Sequence, residues 1–219
     1  MSEKCQKIHS ELNKMKRMDF PFDHESLPKN GVYLLFEKGE FSHGEDRIVR
    51  VGTHTGEGSL RARLLDHYIK GFKDRNIFRK NIGRAILFKD GDNYLEKWNL
   101  NLRSKENREK YLPLIDLEYE KELEGIISDY IQNNISFVVV EESDKDKRLI
   151  LERNLIAEIS SCKDCGPSEI WLGRHSPIKK ISDSGLWQVN ELYKEGFNRI
   201  EFYEFLETCL RTKIHMLID

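Results

Sequence analysis

The sequence has no apolar run approaching the ~20 residues that a membrane-spanning helix requires, and no apolar signal segment opens it. Its four cysteines, Cys5, Cys162, Cys165 and Cys209, do not form the pattern of a secreted disulfide scaffold. A cytoplasmic protein with free thiols, away from any membrane, is therefore expected. No internal repeat or low-complexity segment appears, which argues against solenoids and unstructured tethers. Excess charge of one sign is lacking too. The net charge of −2 argues against a protein that coats nucleic acid through bulk charge.

What is present suffices for a packed body. A chain of 219 residues that is 38% hydrophobic can bury a real core, and 34% charged residues supply a solvated surface. The charge is uneven. From Arg61 to Arg84 there are eight Lys or Arg against two Asp, and acid collects from Asp116 to Glu124. A local basic surplus suits a polyanion bound at one face, and equally a solvated helix surface. Cys162-Lys163-Asp164-Cys165 has half of a zinc spacing, with His175 ten residues on. The missing second ligand pair favours a loop with two unpaired thiols.

The pattern of turns and periods gives an element order. Ile8, Leu12 and Met15 recur at helical spacing in a polar N-terminal segment. Runs near 31–37 and 47–52 flank a Gly- and Asp-containing turn and read as a β-hairpin. A glycine-rich loop and a helix over 59–70 follow, with Ser59 as N-cap. Gly83 to Phe88 reads as a third strand, and 89–113 as a polar insertion with one helix of its own. A helix over 114–134 is followed by a strand at Ser136 to Val140. Helices over 147–161 and 199–217 complete the pattern.

Three side chains carry the chemical argument. At 100° per residue, Leu149, Leu151, Leu155, Ile156 and Ile159 share one helix face, and Glu152 falls in its middle, with Arg153, Asn154 and Glu158 outside or at the margin. A carboxylate on a buried stripe needs a cation or several donors. That cation is an arginine such as Arg63 or Arg79, or a divalent metal with hard-oxygen preference. Arg63 and His67 lie one turn apart on the same side of their helix, able to hold a phosphate and handle a proton; Arg61 faces another side. The same pair also suits a surface arginine above a packed histidine. Tyr33 and Leu35 point opposite to Val32, Leu34 and Phe36. A tyrosine there serves as a core or rim aromatic, or as a functional hydroxyl.

These motifs resemble the GIY-YIG endonucleases. Their Gly-Ile-Tyr motif is similar to Gly31-Val32-Tyr33, preceded by Leu27-Pro28, and their Tyr-Ile-Gly motif to Arg50-Val51-Gly52, where the tyrosine is missing. Arg63 after Leu60 matches the helical arginine, His67 a following histidine or tyrosine, and Glu152 the helical glutamate. Arg50 to His54, Ile77 to Arg79, Trp171 to Ser176 and Ser184 to Trp187 resemble a bacterial branch of such proteins. The family's later asparagine has no counterpart, since Asp164 stands there; Asn154 and Asn190 are substitutes.

The resemblance implies an α+β fold, with a small three-stranded, mostly antiparallel sheet flanked by helices. It places an N-terminal extension at 1–26, a nuclease-like core at 27–165 and a C-terminal helical extension at 166–219 packed on that core. It implies a metal-dependent endonuclease cutting DNA, of restriction or defence type, with RNA as the other polyanion the chemistry would accept. Tyr33, Arg63, His67 and Glu152 would be catalytic, with Glu152 holding Mg²⁺ or Mn²⁺. Arg50, Thr53, His54, Arg61, Arg79 and Arg174 would bind substrate, Tyr68 or His54 supplying a group beside Arg50. Trp171 and Trp187 would line a groove or lock the tail onto the core. Double-strand cleavage from one site calls for a homodimer or two encounters. The missing tyrosine at Arg50 motivates the alternative, a nucleic-acid-binding protein without turnover. A protein-interaction domain is the third option.

Overall fold

Residues 2–218 are described by a computed structural model of the chain, with side-chain surroundings as far as His215. The fold is α+β around one open antiparallel sheet. β1 (Gly31–Ser42) lies between β2 (Glu45–Gly52) and β3 (Ile135–Glu141). The turn joining β1 and β2 places His43 and Gly44 at φ 56° and 79°, the paired positive angles that suit a two-residue hairpin loop.

Alternation along β1 divides the molecule into two apolar layers. Val32, Leu34 and Phe36 join Ile48, Val138 and Val140 on one face. Tyr33 and Leu35 join Val49, Phe137 and Val139 on the other. The first face is covered by α1 (Glu3–Asn13), by α7 (Lys145–Ser161) and by α9 (Arg199–Ile218). The second is covered by α2 (Leu60–Tyr68), α3 (Ile77–Lys89) and α6 (Leu117–Asn134). Acidic or amide caps start three of these helices: Asn76 for α3, Asp116 for α6 and Asp144 for α7 each accept a backbone N–H three residues on.

The strand expected at 83–88 is instead the second half of α3. Phe78, Ile82 and Ala85 follow the helical period and are buried, whereas Phe88 is 54% exposed. Gly83 is needed because a Cβ there would lie 2.5 Å from the Trp98 indole. That indole is buried, and its N–H bonds the Lys80 carbonyl at 2.9 Å. The continuous apolar run hid the period, and β3 supplies the third strand. The insertion has two short helices rather than one, α4 (Leu95–Asn99) and α5 (Lys105–Tyr111).

Both ends of the chain are built into the two cores. Cys5, Ile8 and Leu12 of α1 are fully buried against the sheet, and full burial contributes roughly 1.5–3 kcal/mol for each such aliphatic side chain. Met18 pairs with Phe137 through reciprocal backbone bonds of 2.8 and 2.9 Å, capping the β3 edge. Beyond α8 (Lys179–Ser184), the Trp187 N–H bonds the Val49 carbonyl at 2.8 Å, and Gln188 Oε1 accepts from the Val51 N–H at 2.9 Å. The exposed edge of β2 is thereby covered. Trp171 and Trp187 are buried, and both indoles donate to Glu37 Oε2. They lock the tail to β1 rather than line a groove.

Candidate active site

The site is organised by β1 and β2 near Gly31 and Gly52. Tyr33 stands directly opposite Gly52, and a Cβ on Gly52 would lie 2.3 Å from the Tyr33 hydroxyl. Leu35 stands opposite Arg50, so Arg50 shares the face of Tyr33. A bulge follows: Phe36 pairs with Ile48, and the extra residue, Val49, joins the same layer as Leu35. Such a bulge keeps Ile48 in the opposite layer while Arg50 remains beside Tyr33.

Arg50 is buried. Its guanidinium donates to the Trp187 carbonyl and lies 5.3 Å from the Phe78 ring centre. Its Nε has no partner among the described residues. Burial lowers its pKa, opposed by its interaction with the Tyr33 hydroxyl, while the nearby charge of Arg63 also lowers it.

The Tyr33 hydroxyl is 2.8 Å from His67 Nε2, and His67 Nδ1 is 3.0 Å from Asn76 Oδ1. Asn76 Nδ2 donates to the Asp66 carbonyl at 2.8 Å, which turns its oxygen towards His67. An amide oxygen only accepts, so the His67 proton sits on Nδ1, leaving the Nε2 lone pair to face the phenol. Burial, reinforced by Arg63 and Arg50, pushes the His67 pKa well below its ordinary value. The imidazole is therefore neutral, with its Nε2 lone pair accepting the phenolic O–H. Tyr33 and His67 are both closed to solvent.

Glu152 comes from α7, at the margin of the other layer. Its Oε1 accepts the Thr53 N–H at 3.1 Å, and the side chain is only partly buried. Burial raises its pKa, while Arg50, the Thr53 N–H and Arg63 act to lower it. The Arg63 charge acts on both His67 and Glu152. The helical face differs from the periodic projection: Leu149 is 37% exposed, and Asn154 is buried. Glu152 sits at the rim of that face with an opening to solvent. A hard carboxylate oxygen donor, aligned by Thr53 and destabilised by burial, fits a divalent cation.

Other expected residues occupy definite roles. Thr53 Oγ1 donates to the Gly31 carbonyl at 2.8 Å. His54 Nδ1 is 2.6 Å from the Gly56 carbonyl, and its Nε2 meets the Gly31 N–H at 3.4 Å, so the imidazole fastens the loop to β1. Burial lowers its pKa. Arg61 is bonded to Glu25 and the Leu27 carbonyl. Arg79 is fully buried against Glu124, Ser128 and the His67 carbonyl. Arg174 is exposed and donates to the Pro167 and Ser168 carbonyls. Tyr68 is buried and donates to the Ile135 carbonyl. Asn154 lines a cavity of about 540 Å³ formed largely by α7 and α9, whereas Asn190 is exposed.

Of the net surplus of six basic residues in 61–84, three are matched by carboxylates from outside the stretch: Arg61 by Glu25, Lys73 by Glu120 and Arg79 by Glu124. Within the stretch, Lys80 pairs with Asp74 and Lys70 with Asp66. Arg63 has no carboxylate partner among the described ion pairs.

Two contributors escaped sequence reasoning. Asn76 is legible as the cap before Ile77-Phe78-Arg79, but its contact with His67 is tertiary. Glu191, at φ 61° after β2's covering segment, raises the Glu152 pKa through its charge. Nothing local in the sequence points to that proximity.

A family model described as a GIY-YIG domain matches residues 3–215. No curated protein and no solved structure matches the chain.

Proposed function

The chain belongs to the GIY-YIG family, and on that premise we propose that it is a metal-dependent endonuclease hydrolysing phosphodiester bonds in DNA. The observation that carries this reading is the Tyr33 hydroxyl aimed at the unprotonated nitrogen of a neutral His67. In this mechanism Tyr33 orients the attacking water and accepts its proton as its own passes to His67 Nε2. Arg50 and Arg63 supply fixed positive charge to the developing phenolate and to the phosphoryl oxygens. Glu152, aligned by Thr53, would hold Mg²⁺ or Mn²⁺, which would supply Lewis-acid stabilisation of developing negative charge. Arg79 organises α2, α3 and α6 behind the site, and its role is in positioning rather than substrate contact.

A second reading has its own observation. Tyr33 and His67 are closed to solvent, and buried Arg50 stands in place of the second motif's tyrosine. On this reading the protein binds nucleic acid without turnover. Plasmid cleavage with Mg²⁺ or Mn²⁺, comparing wild type, Tyr33→Phe and Glu152→Ala, separates the two. Cleavage by wild type, lost in both variants with DNA binding retained, supports the endonuclease. Equal binding with no cleavage by any of the three supports the second reading. A restriction or defence role is proposed for the cleaving enzyme and requires discrete fragments rather than a uniform smear.

A further inference from the structure

A cluster of soft ligands stands at the other end of the hairpin, ten residues along the chain from Tyr33 (about 30 Å along an extended strand). Cys5 and His9 occupy successive turns of α1, His43 the hairpin turn, and Cys165 the loop after α7. Cys5, His9 and Cys165 are buried, and His43 is partly buried. One potential ligand atom from each of the four lies within 4.8 Å of those from the other three.

We propose that Cys5, His9, His43 and Cys165 form a tetrahedral Zn²⁺ site that fastens α1, the hairpin tip and the loop after α7 together. Zn–S bonds near 2.3 Å and Zn–N bonds near 2.0–2.1 Å set ligand-to-ligand edges of roughly 3.3–3.8 Å. Cys5 Sγ is 3.3 Å from Cys165 Sγ, and Cys165 Sγ is 3.3 Å from His43 Nε2. His9 Nε2 is 3.9 Å from Cys165 Sγ. The edges already approach those of a coordination tetrahedron.

The surrounding bonds match a metal centre. His9 Nδ1 is 3.0 Å from the Cys5 carbonyl, which fixes its proton there and leaves Nε2 to coordinate. The Ile48 N–H approaches Nε2 at 3.4 Å, a long contact that coordination would replace. Ser42 Oγ lies 3.1 Å from Cys165 Sγ and donates its proton to the Asp164 carbonyl at 2.9 Å, which holds the hydroxyl beside the cluster. Cys162 adjoins the set, 3.5 Å from His43 Nε2. The pairing of Cys165 with α1 and the hairpin, rather than with His175, is what the Cys-x-x-Cys spacing alone could not show. A zinc at this site would cross-link three segments that are far apart in sequence and, held only by the folded chain, would add its binding free energy to stability.

The test reads metal and is independent of cleavage, so it stands whatever the nuclease assays return. Untagged full-length protein, prepared with reductant and without chelator, is analysed for zinc by mass spectrometry, then stripped and reloaded with Co²⁺. The expected result is one zinc per chain and a tetrahedral Co²⁺ spectrum with thiolate charge transfer. His43→Asn suits the positive φ of the hairpin turn and should weaken zinc at least ten-fold against a competing chelator, a ligand loss counting for no less than a supporting bond. Cys209→Ser, which removes a buried thiol outside the cluster, should leave zinc unchanged. Far less than one zinc per chain, a Co²⁺ spectrum without thiolate bands, unchanged affinity in His43→Asn, or a Cys5–Cys165 disulfide in the reduced preparation would overturn the proposal.

Discussion

The Tyr33 hydroxyl and His67 Nε2 are separated by 2.8 Å, with no charged proton on the imidazole side of the contact. Replacing Tyr33 with Phe keeps the ring that packs over Gly52 and removes only the hydroxyl. Cleavage should fall by about 10²–10⁴-fold, the range that a positioned acid–base group contributes. DNA affinity should change little, while His67 Nε2, left buried without a donor, should cost about 1–3 kcal/mol of stability. Single-turnover cleavage with a parallel binding assay checks this. A variant that cuts at the wild-type rate would remove Tyr33 from the mechanism.

Asn76 controls which state His67 occupies. Aspartate can still cap α3, but it places a carboxylate oxygen where the amide oxygen now lies, 3.0 Å from His67 Nδ1. A neighbouring anion favours the imidazolium and raises its pKa. The Asn76→Asp variant should therefore lose activity at a higher pH than wild type as the medium is acidified, because protonated His67 cannot accept from Tyr33. The rate–pH profile gives the answer, and an unmoved acid limb would mean that His67 takes no proton. Stability follows the same sign in wild type. The depressed folded-state pKa of His67 means that the unfolded chain binds more protons, so stability declines as pH falls below the ordinary histidine value.

The sheet was legible because β1 and β3 contain short runs rich in β-branched and aromatic residues, and the hairpin turn is marked by glycine. The motif order also led to Tyr33, Arg63, His67 and Glu152. Residues 83–88 misled because an apolar run of four carries no period by itself, and only packing against Trp98 explains Gly83. Asn76 could be read as a helix cap, but its hydrogen bond to His67 belongs to the docking of α3 on α2. The basic surplus was real in sequence, and about half of it is met by acid from elsewhere, since α6 brings Glu120 and Glu124 onto Lys73 and Arg79 and Glu25 meets Arg61.

Arg79 and Arg63 should separate stability from chemistry. Arg79 is fully buried and makes a paired contact with Glu124. Its replacement by Ala leaves Glu124 without its cation and should cost about 3–5 kcal/mol in denaturant unfolding. Arg63→Ala breaks no ion pair among the described residues and should shift stability by roughly 0.5 kcal/mol or less. Its cleavage rate should nevertheless drop by about 10²–10³-fold, as for loss of one preorganised donor to a charged transition state. If Arg63→Ala unfolds the protein and Arg79→Ala does not, the two roles are reversed.

Glu152 should show the opposing demands of stability and function in one side chain. Its folded-state pKa is raised by burial, even though Arg50, the Thr53 N–H and Arg63 all pull it down. The unfolded carboxyl therefore releases its proton first as pH rises, and the folded state loses stability through that window. Glu152→Gln keeps the shape and removes the charge. At neutral pH and without divalent metal, its Tm should exceed that of wild type. The advantage should fade below about pH 4.5, where the wild-type carboxyl is protonated in both states. Adding Mg²⁺ should raise the wild-type Tm, because an ion held only by the folded state adds its binding free energy. The Gln variant, with no anionic ligand, should not respond and should not cut. A variant no more stable than wild type in the absence of metal, or one that responds equally to Mg²⁺, would place the cation elsewhere.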